Sequence, residues 1–358
     1  MRILVVKLSS LGDILHVLPA VHELRVQLKA EIDWVVHPEF AALVRCFADV
    51  DHVLTFPRRH LFRDIKAAVA ELRRTKYDLV VDLHGLFKSG IVARLARADR
   101  RLAPSYAREG SSIFFGEKAK APDGSGTCTA HDTRHAVERA YDSLTALGLQ
   151  VPKTFLRAEL RPADNRQPTA DKSHSQPLKR SDAQTLIAFA PVSRWQSKDW
   201  PLDKFGAVAK KLITDMPGAQ IVILGGKNDV AAGEAIIAAA GKDAASRLVN
   251  LCGKTSIAES LQLLSKADLL IANDTGPVHM AAAVGTRCLV IFGPTREDWT
   301  GPYGSGHRVI SHNIPCRPCL KRKCPRGDHA CMVSITPEEV CAAASEMMGS
   351  VPLRGVLS

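Results

Sequence analysis

Leu269-Leu270-Ile271-Ala272-Asn273-Asp274-Thr275-Gly276-Pro277-Val278-His279-Met280-Ala281-Ala282-Ala283 decides the class of fold. Leu269–Ala272 is continuously apolar, as a strand covered on both faces must be, and lacks the alternation of a half-solvated one. Asn273 to Gly276 then supply a carboxamide, a carboxylate, a hydroxyl and a glycine, which is turn chemistry. Pro277 opens a helix at no hydrogen-bond cost, because the first amides of a helix have no intrahelical partner. The alanines that follow let other backbone approach closely. A buried strand turning tightly into a helix is the unit of a parallel sheet covered by helices. The free amides of that turn can seat a diphosphate while Asp274 binds sugar hydroxyls. The simpler alternative is an aspartate N-cap followed by a packing histidine.

Working outward, short β-branched runs alternate with longer amphipathic stretches along all 358 residues. In the first half Ile3–Lys7, Asp33–Val36, His52–Phe56 and Leu79–Asp82 read as strands. Between the first two, Ile14, Leu18, Val21, Leu24 and Leu28 recur at helical spacing, and Pro19 must kink that helix or mark its first turns. In the second half the strands are Leu186–Ala190, Gln220–Leu224, Leu248–Leu251, Leu269–Asn273 and Cys288–Phe292. Arg161 to Asp182 is rich in Pro, Ser, Gln and charge without apolar periodicity, the composition of a linker. Ala121–Thr133 has the composition of a mobile loop. The expected fold is therefore α/β: two doubly wound, Rossmann-like parallel-sheet domains facing across a cleft. Residues 1–160 form the first, 161–184 the linker, 185–335 the second, and 336–358 a C-terminal helix and tail.

Lys and Arg number 48 against 37 Asp and Glu, a formal charge of +11. That surplus favours anionic partners: phosphorylated substrates, nucleic acid or membrane headgroups. No apolar run approaches the roughly 20 residues a bilayer span requires. Met1–Lys7 has too short an apolar stretch for the core of a signal peptide, so a cytoplasmic protein is expected. Its nine cysteines are then read in a reducing compartment, without a disulfide network.

Ligands of doubly wound sheets bind beyond the carboxyl ends of the strands, so the residues just after strands matter most. The first strand runs into Lys7-Leu8-Ser9-Ser10-Leu11-Gly12-Asp13 and a helix, where Asp13 is either an N-cap carboxylate or a cleft-facing base. The fourth runs into Asp82-Leu83-His84-Gly85-Leu86-Phe87-Lys88-Ser89-Gly90. Here Lys88 and Ser89 can hold a phosphate or a sugar hydroxyl, or simply be solvated at a helix start. In the second half Ser193-Arg194-Trp195-Gln196-Ser197-Lys198-Asp199-Trp200-Pro201 places cations beside indoles. Lys198 suits a diphosphate, and Trp200 suits a packing anchor.

These stretches, in this order, resemble the bacterial lipopolysaccharide heptosyltransferases over residues 1 to about 300. Arg108-Glu109 and His135–Arg139 resemble the type I enzyme, which adds the first heptose to Kdo. The resemblance implies a GT-B fold with the acceptor on the N-terminal domain and ADP-L-glycero-D-manno-heptose on the C-terminal one. It implies an inverting transfer in which Asp13 is the general base and Lys198 neutralises charge on the departing ADP. Asp274 would hold heptose hydroxyls, Thr275 and Gly276 would meet the diphosphate, and Ser9, Gly12, Ser193 and His279 would complete the donor site. Ser10, Lys88, Ser89 and Arg108 would bind the acceptor, Kdo-lipid A. A second-heptose transferase and a protein-modifying heptosyltransferase of the same fold are the alternatives. No catalytic cofactor is expected, since no Asp-x-Asp pair follows a strand and cationic side chains can serve.

Cys316, Cys319, Cys324 and Cys331 lie in a basic, Pro-containing loop with Arg317, Lys321, Arg322, Lys323 and Arg326. Four thiols so close can surround a structural Zn or Fe, or remain as reduced thiols. The basic residues can face lipid A phosphates or the inner face of the inner membrane, or water alone. Nucleic acid is not expected as a partner: aromatics are 5% of the chain, and none lies between Cys316 and Cys331.

Overall fold

In the computed structural model, which describes residues 1–57, 61–122, 134–155, 157–161 and 185–349, each strand expected in the first half forms. Residues 162–184 of the expected linker, 123–133 of the expected loop including Cys128, and the tail after 349 lie outside the described residues. The chain divides into two units, Met1–Ala163 and Asp164–Ser358.

The first unit holds β1 (Arg2–Val6), β2 (Glu31–Val36), β3 (His52–Thr55), β4 (Lys76–Asp82), β5 (Arg97–Ala103) and β6 (Glu117–Lys118). All pair in parallel in the order β3-β2-β1-β4-β5-β6. Between the strands run α1 (Leu11–His16), α2 (Leu18–Leu28), α3 (Pro38–Val44), α4 (Leu61–Leu72) and α5 (Phe87–Leu95), and α6 (Ala136–Ala146) follows β6. The single helix expected from Ile14 to Leu28 is two, broken at Val17, and Pro19 lies in the first turn of α2, where its missing N–H costs nothing. β1 is buried from Ile3 to Val6 because sheet neighbours and helices cover it on every side.

The second unit repeats the plan with β7 (Leu186–Ala190), β8 (Gln220–Ile223), β9 (Leu248–Asn250), β10 (Leu269–Asn273), β11 (Arg287–Ile291) and β12 (Arg308–Ile310), ordered β12-β11-β10-β7-β8-β9. Its helices are α7 (Leu202–Asp215), α8 (Val230–Ala240), α9 (Lys242–Ala245), α10 (Ile257–Lys266), α11 (Gly276–Ala283), α12 (Glu297–Thr300), α13 (Ala330–Val333) and α14 (Pro337–Gly349). Trp200, Phe205, Ile271, Ile291, Met332 and Val340 belong to one core cluster of this unit, so the helix α14 is part of its interior.

Counted within its own unit, each sheet has the same order, and the direction of winding reverses between β1 and β4 in one and between β7 and β10 in the other. Such a reversal opens a crevice at the carboxyl ends of the two central strands.

Candidate active site

At the first switch point, β1 runs directly into Lys7 and β4 ends in Asp82. Lys7 is buried, and burial holds its pKa below the usual lysine range even though Asp13 and Asp82 draw it back up. Ser10 precedes α1, and Asp13, three residues on, reaches back: its Oδ2 accepts from the Ser10 amide at 3.1 Å and from Ser10 Oγ at 2.8 Å. This is a capping box with aspartate in place of the usual glutamate. Asp13 remains open to solvent on one side and crowded by protein on the other. Desolvation pushes its pKa up. The Lys7 charge and the two Ser10 hydrogen bonds outweigh that and leave it below the ordinary carboxylate value. The result is an exposed carboxylate that stays ionised, held in one orientation.

Asp82 is the opposite case. It is fully buried, and burial lifts its pKa to about 6 although it accepts from the amides of His84 (2.8 Å) and Gly85 (3.3 Å) and from Ser89 Oγ (2.8 Å). Ser89 is thus spent: it lies beneath the surface, holds Asp82 and accepts from the Leu86 amide that begins α5. The acceptor contact expected of it is not available in this arrangement. Gly85 has a φ of +74°, and a Cβ there would meet the Tyr106 ring at 3.1 Å, so only glycine lets the loop after β5 fold over it. That closure delivers Arg108, whose amide donates to Gly85 O at 2.9 Å and whose exposed side chain acts with Arg139 on Lys7 electrostatically. Lys88 is exposed on the first turn of α5, Ser9 is buried, and Gly12 is the second residue of α1.

At the second switch point the charges meet directly. Lys198 Nζ lies 2.6 Å from Asp274 Oδ2, the same oxygen that accepts from Thr295 Oγ1 at 2.7 Å. Lys198 also stands 4.7 Å above the Trp195 ring. Asn273 Oδ1 accepts from the Trp200 amide at 3.3 Å and Asn273 Nδ2 donates to Pro191 O, which pins the loop after β7 to the end of β10. Trp200 is buried and donates to Ile335 O at 3.1 Å, the packing anchor expected of it. Thr275 stands at the N-terminal boundary of α11 without a side-chain capping bond, with Gly276 and Pro277 in the first turn and the partly buried His279 one turn further on. Ser193 Oγ bonds within its own turn to Trp195 while its amide donates to Asp199.

The structure therefore joins Asp13 with Ser10 in the first unit and Lys198 with Asp274 in the second. Four residues were not singled out from sequence. Lys7 and Asp82 had a signal, since each is the first polar residue after an apolar strand. Thr295 had none, being 21 residues from Asp274 and brought there only by the β10–β11 pairing. Ser197 had none either: its hydroxyl donates to Lys321 O at 2.6 Å and its amide to Arg322 O at 3.3 Å, so the cysteine loop backs the Lys198 turn.

Within that loop burial pushes the Cys331 thiol up, and Cys316, Cys319 and Cys324 add to that rise. Desolvation pushes Cys324 up, but the amides of His329, Arg326 and Gly327 more than offset it and favour its thiolate. The donor set suits a thiophilic cation. Yet among the described residues the group of ligand atoms lying within 4.8 Å of one another is Glu31, Asp33 and His52, not any three of these sulfurs. Arg2 already pairs with Glu31 at 3.0 Å, so that acidic corner is an ion-pair network.

Residues 65–329 match the family described as glycosyltransferase family 9 (heptosyltransferase). The chain belongs to glycosyltransferase family 9. The family span runs past the first three cysteines of the loop. This family 9 enzyme is 28% identical to lipopolysaccharide heptosyltransferase 1 of Pseudomonas aeruginosa, over 90% of this chain and 87% of that one. It is 25% identical to lipopolysaccharide heptosyltransferase 2 of Escherichia coli K12, over 95% and 96%. It shares its fold with the E. coli ADP-heptose lipopolysaccharide heptosyltransferase II structure, at a TM-score of 0.74 and 22% identity over 97% and 98% of the two chains. The two-sheet α/β architecture is that of these GT-B glycosyltransferases. No helix among the described residues is long and apolar enough to cross a membrane.

Proposed function

We propose that this glycosyltransferase transfers L-glycero-D-manno-heptose from ADP-heptose to the Kdo-lipid A inner core of lipopolysaccharide, with inversion at the anomeric carbon. The first unit takes the acceptor and the second the nucleotide sugar. Asp13 removes the proton of the acceptor hydroxyl as that oxygen attacks the anomeric carbon from the face opposite ADP. An inverting displacement needs one base on that face. Lys198 meets the negative charge that builds on the departing diphosphate, the α11 amides at Thr275 and Gly276 cradle it, and Asp274 holds heptose hydroxyls. Arg108, Lys88 and Arg139 give the acceptor side a cationic rim suited to an acidic sugar.

The observation that carries this reading is Asp13: a solvent-open carboxylate, oriented by Ser10 and kept ionised by a buried lysine, at a sheet switch point. The relatives named above include enzymes of both heptose steps, so addition of a second heptose is the reading set against it. Offering ADP-heptose with Kdo-lipid A and, separately, with its singly heptosylated form separates the two. Transfer to Kdo-lipid A alone is expected; transfer only to the heptosylated form would assign the second step, and transfer to neither would end the proposal.

The four loop cysteines would hold Zn or Fe in a structural role, once their sulfurs draw in to tetrahedral spacing. The enzyme would work on the cytoplasmic face of the inner membrane, with its acceptor held in the bilayer.

A further inference from the structure

α5 is amphipathic in an unusual sense. Its buried face is small, Ser89, Gly90, Val92 and Ala93, and its outer face carries the large apolar residues. Phe87 is 41% exposed and Ile91 38%, four residues apart and so on one side of the helix. Ile113, 74% exposed, joins them from the 3-10 turn Ser111–Phe114. The turn and the helix form one platform. Gly90 lets the Phe114 ring lie against α5, where a Cβ would come within 2.4 Å of it, and that ring meets Phe87 edge-on at 5.1 Å. Lys88 and Arg94 stand exposed on the same helix and Arg108 on the loop after β5, none in an ion pair with a described residue, while the exposed Glu109 carboxylate accepts from the Phe87 amide at 3.4 Å.

Exposed apolar side chains with more cations than acids beside them fit the headgroup boundary of an anionic bilayer: the rings and aliphatic groups enter the acyl edge and the cations meet phosphates. We propose that the outer face of α5 with Ile113 seats the first unit on an anionic phospholipid surface. A protein partner would fit the apolar residues equally well, but the cationic rim and the net charge of +11 favour the lipid. The position has a consequence. α5 begins at the same β4 loop that carries Asp82 and His84, so the seated enzyme holds its acceptor-side switch point at membrane height. The inference rests on a membrane-borne acceptor, as proposed above, but its test needs no turnover.

The test is co-sedimentation with phosphatidylglycerol-rich vesicles, with phosphatidylcholine vesicles as the uncharged arm. Wild-type protein is expected on the first and largely free of the second, with binding weakened by salt. The triple variant Phe87→Ser, Ile91→Ser, Ile113→Ser should lose about tenfold or more of its vesicle affinity. Val26→Ser with Val151→Ser, exposed apolar positions elsewhere in the same unit, should bind as wild type. Should the triple variant fail to fold, Ile113→Ser alone is expected to lose about threefold. Equal vesicle binding by wild type and either α5-face variant overturns the proposal, as does a wild type that ignores both lipids. A concentration-dependent dimer in ultracentrifugation that the triple variant abolishes would assign the face to a second copy instead. Heptose transfer to a water-soluble, delipidated Kdo acceptor, unchanged in the triple variant, keeps this failure distinct from a failure of the enzymatic reading.

Discussion

The two units wind their sheets in the same order and treat charge at the switch point in opposite ways. In the first, a lysine and an aspartate are buried and a second aspartate is left outside, so the interior sets the state of the exterior group. In the second, the lysine and the aspartate lie against each other at 2.6 Å, part-buried, and neutralise one another with Thr295 as a third partner. The first arrangement keeps one carboxylate ionised and free to take a proton. The second is a closed pair; in the proposed mechanism an incoming diphosphate would compete with Asp274 for the ammonium and leave the carboxylate to hydroxyls. On the proposed reading, one fold supplies a base in one unit and an exchangeable cation in the other.

This division of labour can be broken. The largest effect is expected from Asp13→Asn, which keeps the capping geometry but removes the basic oxygen. Its kcat should fall by about 10²–10⁴-fold, the usual worth of a positioned base, while ADP affinity measured by calorimetry stays near wild type. Wild-type-like turnover would remove Asp13 from the chemistry. Lys198→Met comes next. It strips the diphosphate of its cation and leaves Asp274 without its salt-bridge partner, so kcat/KM for the donor should drop about 10²-fold and ADP should bind more weakly. If ADP binding followed Asp13 and ignored Lys198, the two units would have their roles reversed.

Lys7→Met is expected to do least at the plateau, within about threefold, because the base itself remains. Its signature is in pH. Lys7 is the largest influence pulling the Asp13 pKa down, so removing it lets that pKa rise. If Asp13 is the base proposed above, its ionised form is the active one, and the acid limb of kcat/KM should move to higher pH, sharpening the contrast with Lys198→Met, whose limb should stay in place. An unmoved limb in Lys7→Met would mean that the buried lysine serves folding alone.

Much of this was legible in the chain. β1, β4, β7 and β10 are apolar runs because central parallel strands are covered on both faces, and the residues following them had to lie at the switch points. The strands that escaped reading are β5, β6 and β12. β5, Arg-Ala-Asp-Arg-Arg-Leu-Ala, is largely exposed, and its Arg101 turns back to donate to the carbonyls of Ala93 and Ala96 at the end of α5 and of Ala98 in β5 itself. A strand whose polar residues do structural work carries no hydrophobic signature. Ser89 was hard to read for a related reason: a hydroxyl at a helix start looks the same whether it faces a ligand or, as here, a buried carboxylate seven residues back in sequence that the turn after β4 brings to 2.8 Å.

Local chemistry by itself determined where strands stop, which helices begin with free amides, and which acidic and basic residues follow them, because hydrophobic periodicity and capping are short-range properties. Tertiary structure alone decided what those charges do. Whether a carboxylate is ionised depends on how deeply it is buried and which charge stands beside it, and both are consequences of packing: burial lifts Asp82 to about 6, while Lys7, six residues away along the chain, holds Asp13 down.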